Sequence, residues 1–336
     1  MIREMITKLV EGGTLDRDEA YQTLREIMEG NATDAQIASF ITALRMRGET
    51  ADVIAGATQA MREHFTPVDA PDTCVVDTCG TGGDGAHTFN ISTGAALVAA
   101  GAGVTVAKHG NRSVSSQCGS ADVLTALGVN IGLDAAQMSK CLLETGIAFL
   151  FAPALHPAMK HAIGPRKEIG IRTIFNILGP LSNPASTQHG VLGVYHRDLV
   201  PVMAEALAGL GAKRMFVVHG ADGLDEITTT TNTFIGEVHE GDVRTYEIHP
   251  EEVGLPVATP EDLRGGGPEE NAALLKSMLA GEPGPKRDIV LFNAAAAILA
   301  GGRATDWQDG VKQATHSIDS GAAQAKLDEL IKQSNA

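Results

Sequence analysis

The first 66 residues carry hydrophobic positions at helical spacing. The clearest case lies within residues 37–44, where Ile, Phe, Ile and Leu fall at i, i+3, i+4 and i+7 and form one apolar stripe. Three residues are candidate helix N-caps: Asp16, Thr33 and Thr50. Asp16 and Thr33 are each followed three residues later by the Glu or Gln of a capping box, Glu19 and Gln36. The pattern predicts a small helical domain over residues 1–66, joined to the rest by a linker that contains Pro67 and Pro71.

From Cys74 onward the pattern changes to short apolar strands that alternate with helices. The predicted strands cover residues 74–77, 104–108, 147–151, 191–194 and 215–218. The predicted helices between them cover residues 92–102, 121–127 and 199–210. This alternation is typical of a mostly parallel sheet covered by helices.

The C-terminal third has a different pattern. Residues 231–239 and 243–248 are extended on either side of a turn at Glu240-Gly241-Asp242, which predicts an antiparallel hairpin. Predicted helices at 269–280, 288–300 and 311–331 complete the chain. The fold class is therefore α/β, with the helical domain at 1–66 and a large α/β domain at 72–336.

The charge balance excludes some partners. The chain has 41 acidic and 26 basic residues, a net charge of -15, and a field that repels nucleic acid and anionic membranes. The four cysteines form no CxxC pair, which predicts reduced thiols. No signal peptide and no membrane-spanning run is recognisable, so we expect a cytoplasmic protein.

One window departs from this acidic character. Between Asp84 and Asp122, 37 residues pass without an Asp or Glu. The window follows Gly80-Thr81-Gly82-Gly83 and contains hydroxyl side chains and the segment Lys108-His109-Gly110-Asn111-Arg112. Backbone amides, hydroxyls and cations at this density indicate a ligand with several phosphates.

The glycine segment matches G-x-G-x-x-G after a predicted strand, as in dinucleotide-binding proteins. That fingerprint also requires an acid about 20 residues later, and the window contains none. A P-loop is excluded because no Lys-Ser/Thr pair follows at the required spacing. A phosphate-binding loop remains, with a plain tight turn as the alternative. Residues 108–112 follow the next strand and should reach the same edge of the sheet as the glycine segment, where they would also bind the ligand. The alternative is a solvated basic turn.

Two further segments suggest a metal and a second substrate. Asp225-Glu226 follows a predicted strand and, with the Ser92 hydroxyl, offers the oxygen ligands that Mg²⁺ prefers; an exposed acidic turn is the alternative. Arg166 would grip a carboxylate, unless it is a surface salt-bridge residue. No nucleophile motif is present, so covalent catalysis is not indicated.

Six motifs together resemble the anthranilate phosphoribosyltransferase family of the tryptophan pathway along nearly the whole chain. They lie at residues 77–85, 90–93, 108–112, 119–124, 172–184 and 222–226. The resemblance implies a helical segment near 160–185 that returns to the helical domain, and homodimers formed through that domain. It also implies that 5-phosphoribosyl 1-diphosphate (PRPP) and anthranilate react to give N-(5-phosphoribosyl)anthranilate and diphosphate.

The same resemblance assigns residues to each ligand. PRPP would be bound by Gly80, Gly83, Asp84, Thr88, Asn90, Ile91, Ser92, Thr93, Lys108, His109, Gly110, Asn111, Arg112, Ser113, Val114, Ser115, Ser116 and Ser120. Anthranilate would be bound by Gly80, His109, Asn111, His156 and Arg166. One or two Mg²⁺ ions would be bound by Ser92, Asp225 and Glu226. Lys108 would stabilise the departing diphosphate, and Arg166 would anchor the acceptor carboxylate.

Two other functions compete with this interpretation. A nucleoside phosphorylase of the same fold group would place phosphate and a pyrimidine in the site, but Arg166 and residues 108–112 favour the transferase. A non-catalytic relative that binds nucleic acid is disfavoured by the net charge of -15 and by the intact Asp225-Glu226 pair.

Overall fold

A computed structural model describes residues 1–113 and 117–336 of the chain. Its strands are β1 (Val75–Gly80), β2 (Thr105–Gly110), β3 (Ile147–Phe151), β4 (His189–Gly193), β5 (Arg214–Gly220), β6 (Thr233–His239) and β7 (Asp242–Ile248). The first helices are α1 (Ile2–Val10), α2 (Arg17–Met28), α3 (Asp34–Arg47), α4 (Ala51–Arg62), α5 (Ile91–Gly101), α6 (Ser120–Leu127), α7 (Ala135–Thr145) and α8 (Ala152–Leu155). The others are α9 (Lys160–Ile169), α10 (Phe175–Leu181), α11 (Leu199–Gly209), α12 (Pro268–Leu279), α13 (Pro285–Ala300), α14 (Trp307–Asp319) and α15 (Ala322–Ser334).

The strands form one sheet in the order β3-β2-β1-β4-β5-β6-β7. β1 to β5 are parallel, and β6 and β7 are antiparallel. The fold-class prediction of a mostly parallel sheet is therefore confirmed, and the predicted hairpin turns at Glu240 and Gly241, which both have positive φ. From β1 the chain adds β2 and β3 on one side of the sheet and then β4 and β5 on the other. The crevice at the carboxyl ends of β1 and β4 is therefore a topological switch point.

The N-terminal domain is helical, as the apolar stripe predicts. The side chains of Asp16 and Thr33 cap α2 and α3 through capping boxes, and that of Thr50 caps α4. The apolar core of this domain continues into α9 and α10 and the residue before α10, with Ala162, Ile174, Phe175, Ile177, Leu178 and Leu181. The same core reaches α11 and one face of the sheet, so α4 packs directly on α11.

A second core lies on the other face of the sheet, where α5 and α13 pack together. Both helices are rich in alanine, and Gly94 of α5 has side chains of Leu275, Met278 and Val290 around it. Small residues let these helices approach each other closely. No helix in the described parts of the chain has the length and apolarity needed to cross a membrane.

Some sequence predictions were wrong in detail. The helix predicted over 311–331 is two helices, because Gly321 adopts a positive φ of 79° and separates the two runs. Helix α7 was not predicted, although its Asp134 cap with Gln137 at the third position matches the capping-box signal. Asn90 occupies the N-cap position of α5, but its side chain makes no cap hydrogen bond.

Candidate active site

The carboxyl ends of β1, β2, β4 and β5 meet at one edge of the sheet. Gly80 ends β1 and pairs with Gly193, the last residue of β4. The Thr81 amide donates to the Gly193 carbonyl at 2.9 Å, which ties the glycine loop after β1 to the end of β4. The two loops that the sequence predicts as anion-binding therefore leave the sheet at the switch point.

Side chains alternate across the two faces of β1 and β2. Val76 is paired with Val106, so Thr78 lies beside Lys108 and Cys79 beside His109. Lys108 is buried, and its Nζ donates to the Thr78 carbonyl and, at 3.4 Å, to the Thr78 hydroxyl. Lys108 and His109 are adjacent in sequence but face opposite sides of the sheet.

The candidate metal ligands Asp225 and Glu226 lie on the segment after β5. Burial, with the charge of Asp84 next in effect, raises the pKa of Asp225 well above its usual range. Burial, with the charge of Asp225 next, raises the pKa of Glu226 as well. Three carboxyl groups held near one another offer hard oxygen ligands whose repulsion a divalent cation relieves. These residues therefore fit a magnesium ion.

Two strand-terminal glycines make room for Asp225. A Cβ on Gly80 would lie 2.6 Å from the Asp225 Oδ2 atom, and a Cβ on Gly193 would overlap the Asp225 carbonyl oxygen. The Oδ2 atom accepts a hydrogen bond from the Gly82 amide at 2.7 Å. Asp225 thus joins the segment of the two candidate metal ligands, residues 225–226 (the metal segment), to the glycine loop. Gly193 was not predicted as part of the site.

The glycine loop needs left-handed backbone at Gly82, Gly83 and Gly85, where φ is 66°, 81° and 75°. The guanidinium of Arg172 donates to the Gly83 carbonyl and stacks over the Tyr195 ring at 4.3 Å. The sequence contained Arg172 in a motif but gave it no role, since nothing local indicates a partner 89 residues away.

The loop after β2 is closed by Asp122. Its carboxylate accepts hydrogen bonds from the Arg112 guanidinium at 2.8 Å and from the amides of Ser113 and Gly119 at 3.1 and 2.9 Å. Ser120 donates to the Asn111 carbonyl at 3.3 Å. Arg112 thus has a fixed acidic partner, which the sequence did not predict. The predicted residues Val114, Ser115 and Ser116 lie outside the described residues.

Other predicted PRPP residues surround the start of α5. Asn90 donates to the Cys118 carbonyl and accepts from Asn271, so it links three segments. Thr88 pairs with Arg264 across an isolated antiparallel bridge. Ser92 is partly exposed and lines a small cavity with Glu226, whereas the side chains of Ile91 and Thr93 are buried. The roles predicted for Ile91 and Thr93 in binding PRPP stay predictions.

On the other face of β1 and β2, His109 and His156 form a buried pair. Their Nε2 atoms lie 3.2 Å apart, and the edge of Phe65 packs against His156 at 6.1 Å. Burial, with the charge of His156 next in effect, lowers the pKa of His109 to about 3. Burial lowers the pKa of His156 to about 4. Both imidazoles are therefore neutral at physiological pH.

Asp77 and Asn183 support this pair. Asp77 accepts hydrogen bonds from the His109 amide at 3.0 Å and from the Asn183 side chain at 2.7 Å. Burial raises the pKa of Asp77 to about 6, against the opposing charge of Lys108. Asn183 comes from the end of the returning segment, so this segment reaches the sheet at the site. Asn183 lies in the motif at residues 172–184, but the sequence indicates no role for it.

Arg166 lies on α9, and its guanidinium is over the Phe175 ring at 5.3 Å. Burial lowers the pKa of Arg166 from its ordinary value, and no ion pair within the described parts of the chain involves it. A partly buried cation that is not committed to a carboxylate of its own chain is suited to bind an anionic ligand group.

Both domains match known protein families. Residues 3–65 match the glycosyl transferase family helical bundle domain, and residues 72–324 match the glycosyl transferase family a/b domain. An anthranilate phosphoribosyltransferase of Acetivibrio thermocellus is 54% identical over 336 residues, which cover 100% of this chain and 97% of that protein.

Solved structures agree in fold. Anthranilate phosphoribosyltransferase from Thermus thermophilus aligns with a TM-score of 0.94 at 44% identity and covers 99% of both chains. The Saccharomyces cerevisiae enzyme in complex with PRPP and Mg aligns with a TM-score of 0.89 at 31% identity, covering 99% of this chain and 98% of that chain. The resemblance inferred from the motifs is confirmed. The chain belongs to the anthranilate phosphoribosyltransferase family of glycosyl transferases.

Proposed function

We propose that this enzyme transfers the 5-phosphoribosyl group of PRPP to the amine of anthranilate, in the biosynthesis of tryptophan. The products are N-(5-phosphoribosyl)anthranilate and diphosphate. The observation that carries the proposal is the full-length identity of 54% to an anthranilate phosphoribosyltransferase. The crevice supports it, because the glycine loop and the Asp225-Glu226 pair meet at the switch point, with the His109-His156 pair on the other face of β1 and β2.

PRPP would bind along the glycine loop and the start of α5. Positive φ at Gly82 and Gly83 lets the backbone approach a phosphate closely, and the first turn of α5 offers backbone amides. The side chain of Ser92 and the loop after β2, including Asn111 and Ser113, would add polar contacts. Lys108 would stabilise the negative charge that develops on the departing diphosphate.

Magnesium would be held by Asp225 and Glu226, with Ser92 on the facing loop. When bound, the ion would neutralise charge on the diphosphate as it leaves. The protein's own part is to hold both carboxylates half-buried, with Asp225 tied to the glycine loop by the Gly82 amide.

Anthranilate would bind on the side of His109, His156 and Arg166. Arg166 would pair with its carboxylate, and the neutral histidines would present an uncharged surface to the aromatic amine. The amine of an aniline is already neutral at pH 7, so attack needs no strong base beforehand. Catalysis would rest mainly on positioning the two substrates and on stabilising the leaving group.

We further propose a domain boundary at the linker near residues 67–71, with residues 160–185 returning to the helical domain. Homodimers would form through that domain. Support comes from exposed apolar side chains, of which Val10 and Met46 are 72% and 82% exposed. Sedimentation equilibrium should give twice the 35.0 kDa chain mass; a mass of one chain at micromolar concentration would reject the dimer.

A cytoplasmic location is part of the same proposal. Phosphorylated substrates such as PRPP are confined to the compartment where they are made. The thiols of Cys74, Cys79 and Cys141 are not in disulfides, as expected in a reducing compartment.

The function is tested by the fluorescence of anthranilate, which is lost when its amine is ribosylated. Fluorescence should fall only when protein, PRPP and Mg²⁺ are all present, and diphosphate should appear in equal amount. A phosphorylase would instead consume phosphate and a nucleoside and leave anthranilate unchanged. Tight, salt-sensitive DNA binding without turnover would favour a non-catalytic relative.

A further inference from the structure

Helix α13 contains one polar side chain within a run that is otherwise apolar and buried. Residues 289–300 are all buried, and Asn293 is the polar member of that run, with 2% of its surface exposed. An amide in such a place is retained only if its hydrogen bonds are satisfied. Its partners therefore indicate what it does.

Asn293 is bonded to both backbone groups of Ile227, the residue after Glu226. Its Oδ1 accepts from the Ile227 amide at 2.9 Å, and its Nδ2 donates to the Ile227 carbonyl at 2.7 Å. The Nδ2 also donates to the Ile289 carbonyl at 2.9 Å, one turn earlier in α13. This last bond fixes the rotamer of the amide, so the helix holds it in one orientation.

Ile227 is fully buried and lies between the end of β5 and the start of β6, outside both strands. A neighbouring strand would normally bond to the backbone N–H and C=O of a residue such as Ile227. The Asn293 side-chain amide makes both bonds instead, because it has an acceptor and a donor in one plane. The Ile227 amide belongs to the same peptide plane as the Glu226 carbonyl. Holding that amide therefore restricts the orientation of the peptide that follows Glu226, and with it the backbone from which the Glu226 side chain leaves.

The turn that contains Asp225 and Glu226 is held by a second, separate set of hydrogen bonds. Asp222 accepts hydrogen bonds from the hydroxyls of Thr228 and Thr230, both at 2.6 Å. These bonds close the turn around Asp225 and Glu226 but do not touch the Glu226–Ile227 peptide. Glu226, Ser92 and Asn293 line the same small cavity, so the amide lies near the carboxylate that it would position.

We propose that Asn293 is a positioning residue that orients Glu226, and with it Asp225, toward Ser92 and the glycine loop. Its function is to strengthen the binding of PRPP in the presence of magnesium. This inference rests on the magnesium site of the proposed function. Asn293 itself contacts neither metal nor substrate.

The test separates metal-dependent from metal-independent binding. Calorimetry would measure PRPP binding to Asn293→Leu in Mg²⁺ and in EDTA. Affinity in Mg²⁺ should fall about tenfold or more, the usual effect of removing a group that orients a metal ligand. Affinity in EDTA should stay within about twofold, since Asn293 makes no hydrogen bond of its own to the glycine loop. In turnover assays the KM for anthranilate should not change.

Ser317→Ala is the matched control. Ser317 is buried on α14, and its hydroxyl donates to the Val98 carbonyl at 2.7 Å, away from the metal segment. This variant should lose stability without changing PRPP affinity in either buffer. If Asn293→Leu does not fold, Asn293→Ser is measured in its place, with the same expected outcome.

The proposal is overturned if a folded Asn293 variant binds PRPP in Mg²⁺ as tightly as the wild type does. It is also overturned if affinity falls equally in Mg²⁺ and EDTA. A wild-type chain that binds PRPP no better in Mg²⁺ rejects the metal site, and this role with it. If the wild type shows the Mg²⁺ effect, the Asn293 variant loses it, and anthranilate is not consumed, the proposed reaction is rejected and the role of Asn293 is supported.

Discussion

Asp225 and Glu226 carry a cost in stability that the proposed metal site would explain. Burial and their mutual proximity make both carboxylates costly when ionised, and the raised pKa values report that cost. A site arranged only for stability would replace them with neutral side chains. Their presence at the switch point is explained by a ligand that compensates the charge.

The double substitution Asp225→Asn with Glu226→Gln separates these two effects. Removing both charges should abolish the turnover that depends on magnesium. The same double substitution should raise the melting temperature of the ligand-free chain at pH 7.5, because the repulsion among Asp84, Asp225 and Glu226 is relieved. Calorimetric scanning and the anthranilate fluorescence assay measure the two outcomes. An undiminished rate would show that the metal residues are misassigned.

Arg166→Ala tests the proposed binding of anthranilate separately from the binding of PRPP. Losing the cation should raise the KM for anthranilate about 10- to 100-fold, as expected when a charged hydrogen bond of about 1.5 to 3 kcal/mol is removed. The KM for PRPP should change little. Arg17→Ala, at the first residue of α2, is a control for the loss of a partly exposed cation. Equal increases in both KM values would reject the anthranilate role of Arg166.

His156 gives a pH-dependent contribution to stability. Its pKa is about 4 in the fold against an ordinary value of 6.5, so the unfolded chain binds more protons between these values. Its contribution is therefore complete above pH 6.5 and is lost as the pH falls toward 4. The loss at pH 5 is about 2 kcal/mol.

Urea unfolding of wild type and His156→Gln at pH 7.5 and pH 5 measures this contribution. Glutamine does not titrate, so the stability advantage of the wild type should shrink by about 2 kcal/mol at the lower pH. A difference between the two proteins that is the same at both pH values would contradict a buried neutral histidine.

At the scale of elements, the ends of β1 and β4 determine where Asp225 can lie. The sequence predicts both strands, and their parallel arrangement places their carboxyl ends together. It does not predict that Gly193 must lack a side chain, because the contact is with a residue 32 positions later in the chain. The same reason explains why Arg172 and Asn293 were missed. Their partners are distant in sequence and have no local signature.

Gly193→Ala tests this packing. The added methyl group would overlap the Asp225 carbonyl oxygen, so the metal segment must move away from the glycine loop. A displacement of about 1 Å at a catalytic group costs about 100-fold in rate, and we expect a loss of that order in kcat/KM. Gly209→Ala on α11 is the control, since its Cβ would meet only Arg17 at 3.9 Å. Similar activities in both variants would contradict the packing argument.

At the scale of the whole molecule, the sequence predicts two domains and the mostly parallel sheet because periodicity and capping signals are local. The capping boxes of α2 and α3 and the strand Ile147–Phe151 follow from residues close together in the chain. The extent of the helical core does not, since α10 supplies part of it from more than 100 residues away. Family resemblance, and not periodicity, indicated that returning segment.

This dependence predicts that residues 1–66 do not fold as an isolated fragment. The fragment lacks Ile174, Phe175, Ile177, Leu178 and Leu181, which are buried in the same core. Each such side chain contributes about 1.5 to 3 kcal/mol on burial, and their sum equals the whole stability of a typical domain, about 5 to 15 kcal/mol. Far-UV circular dichroism should therefore show no cooperative melting for the fragment, whereas the full chain melts sharply under the same conditions. A sharp transition for the fragment would mean that the first four helices form a complete core, and that the returning segment only packs on its surface.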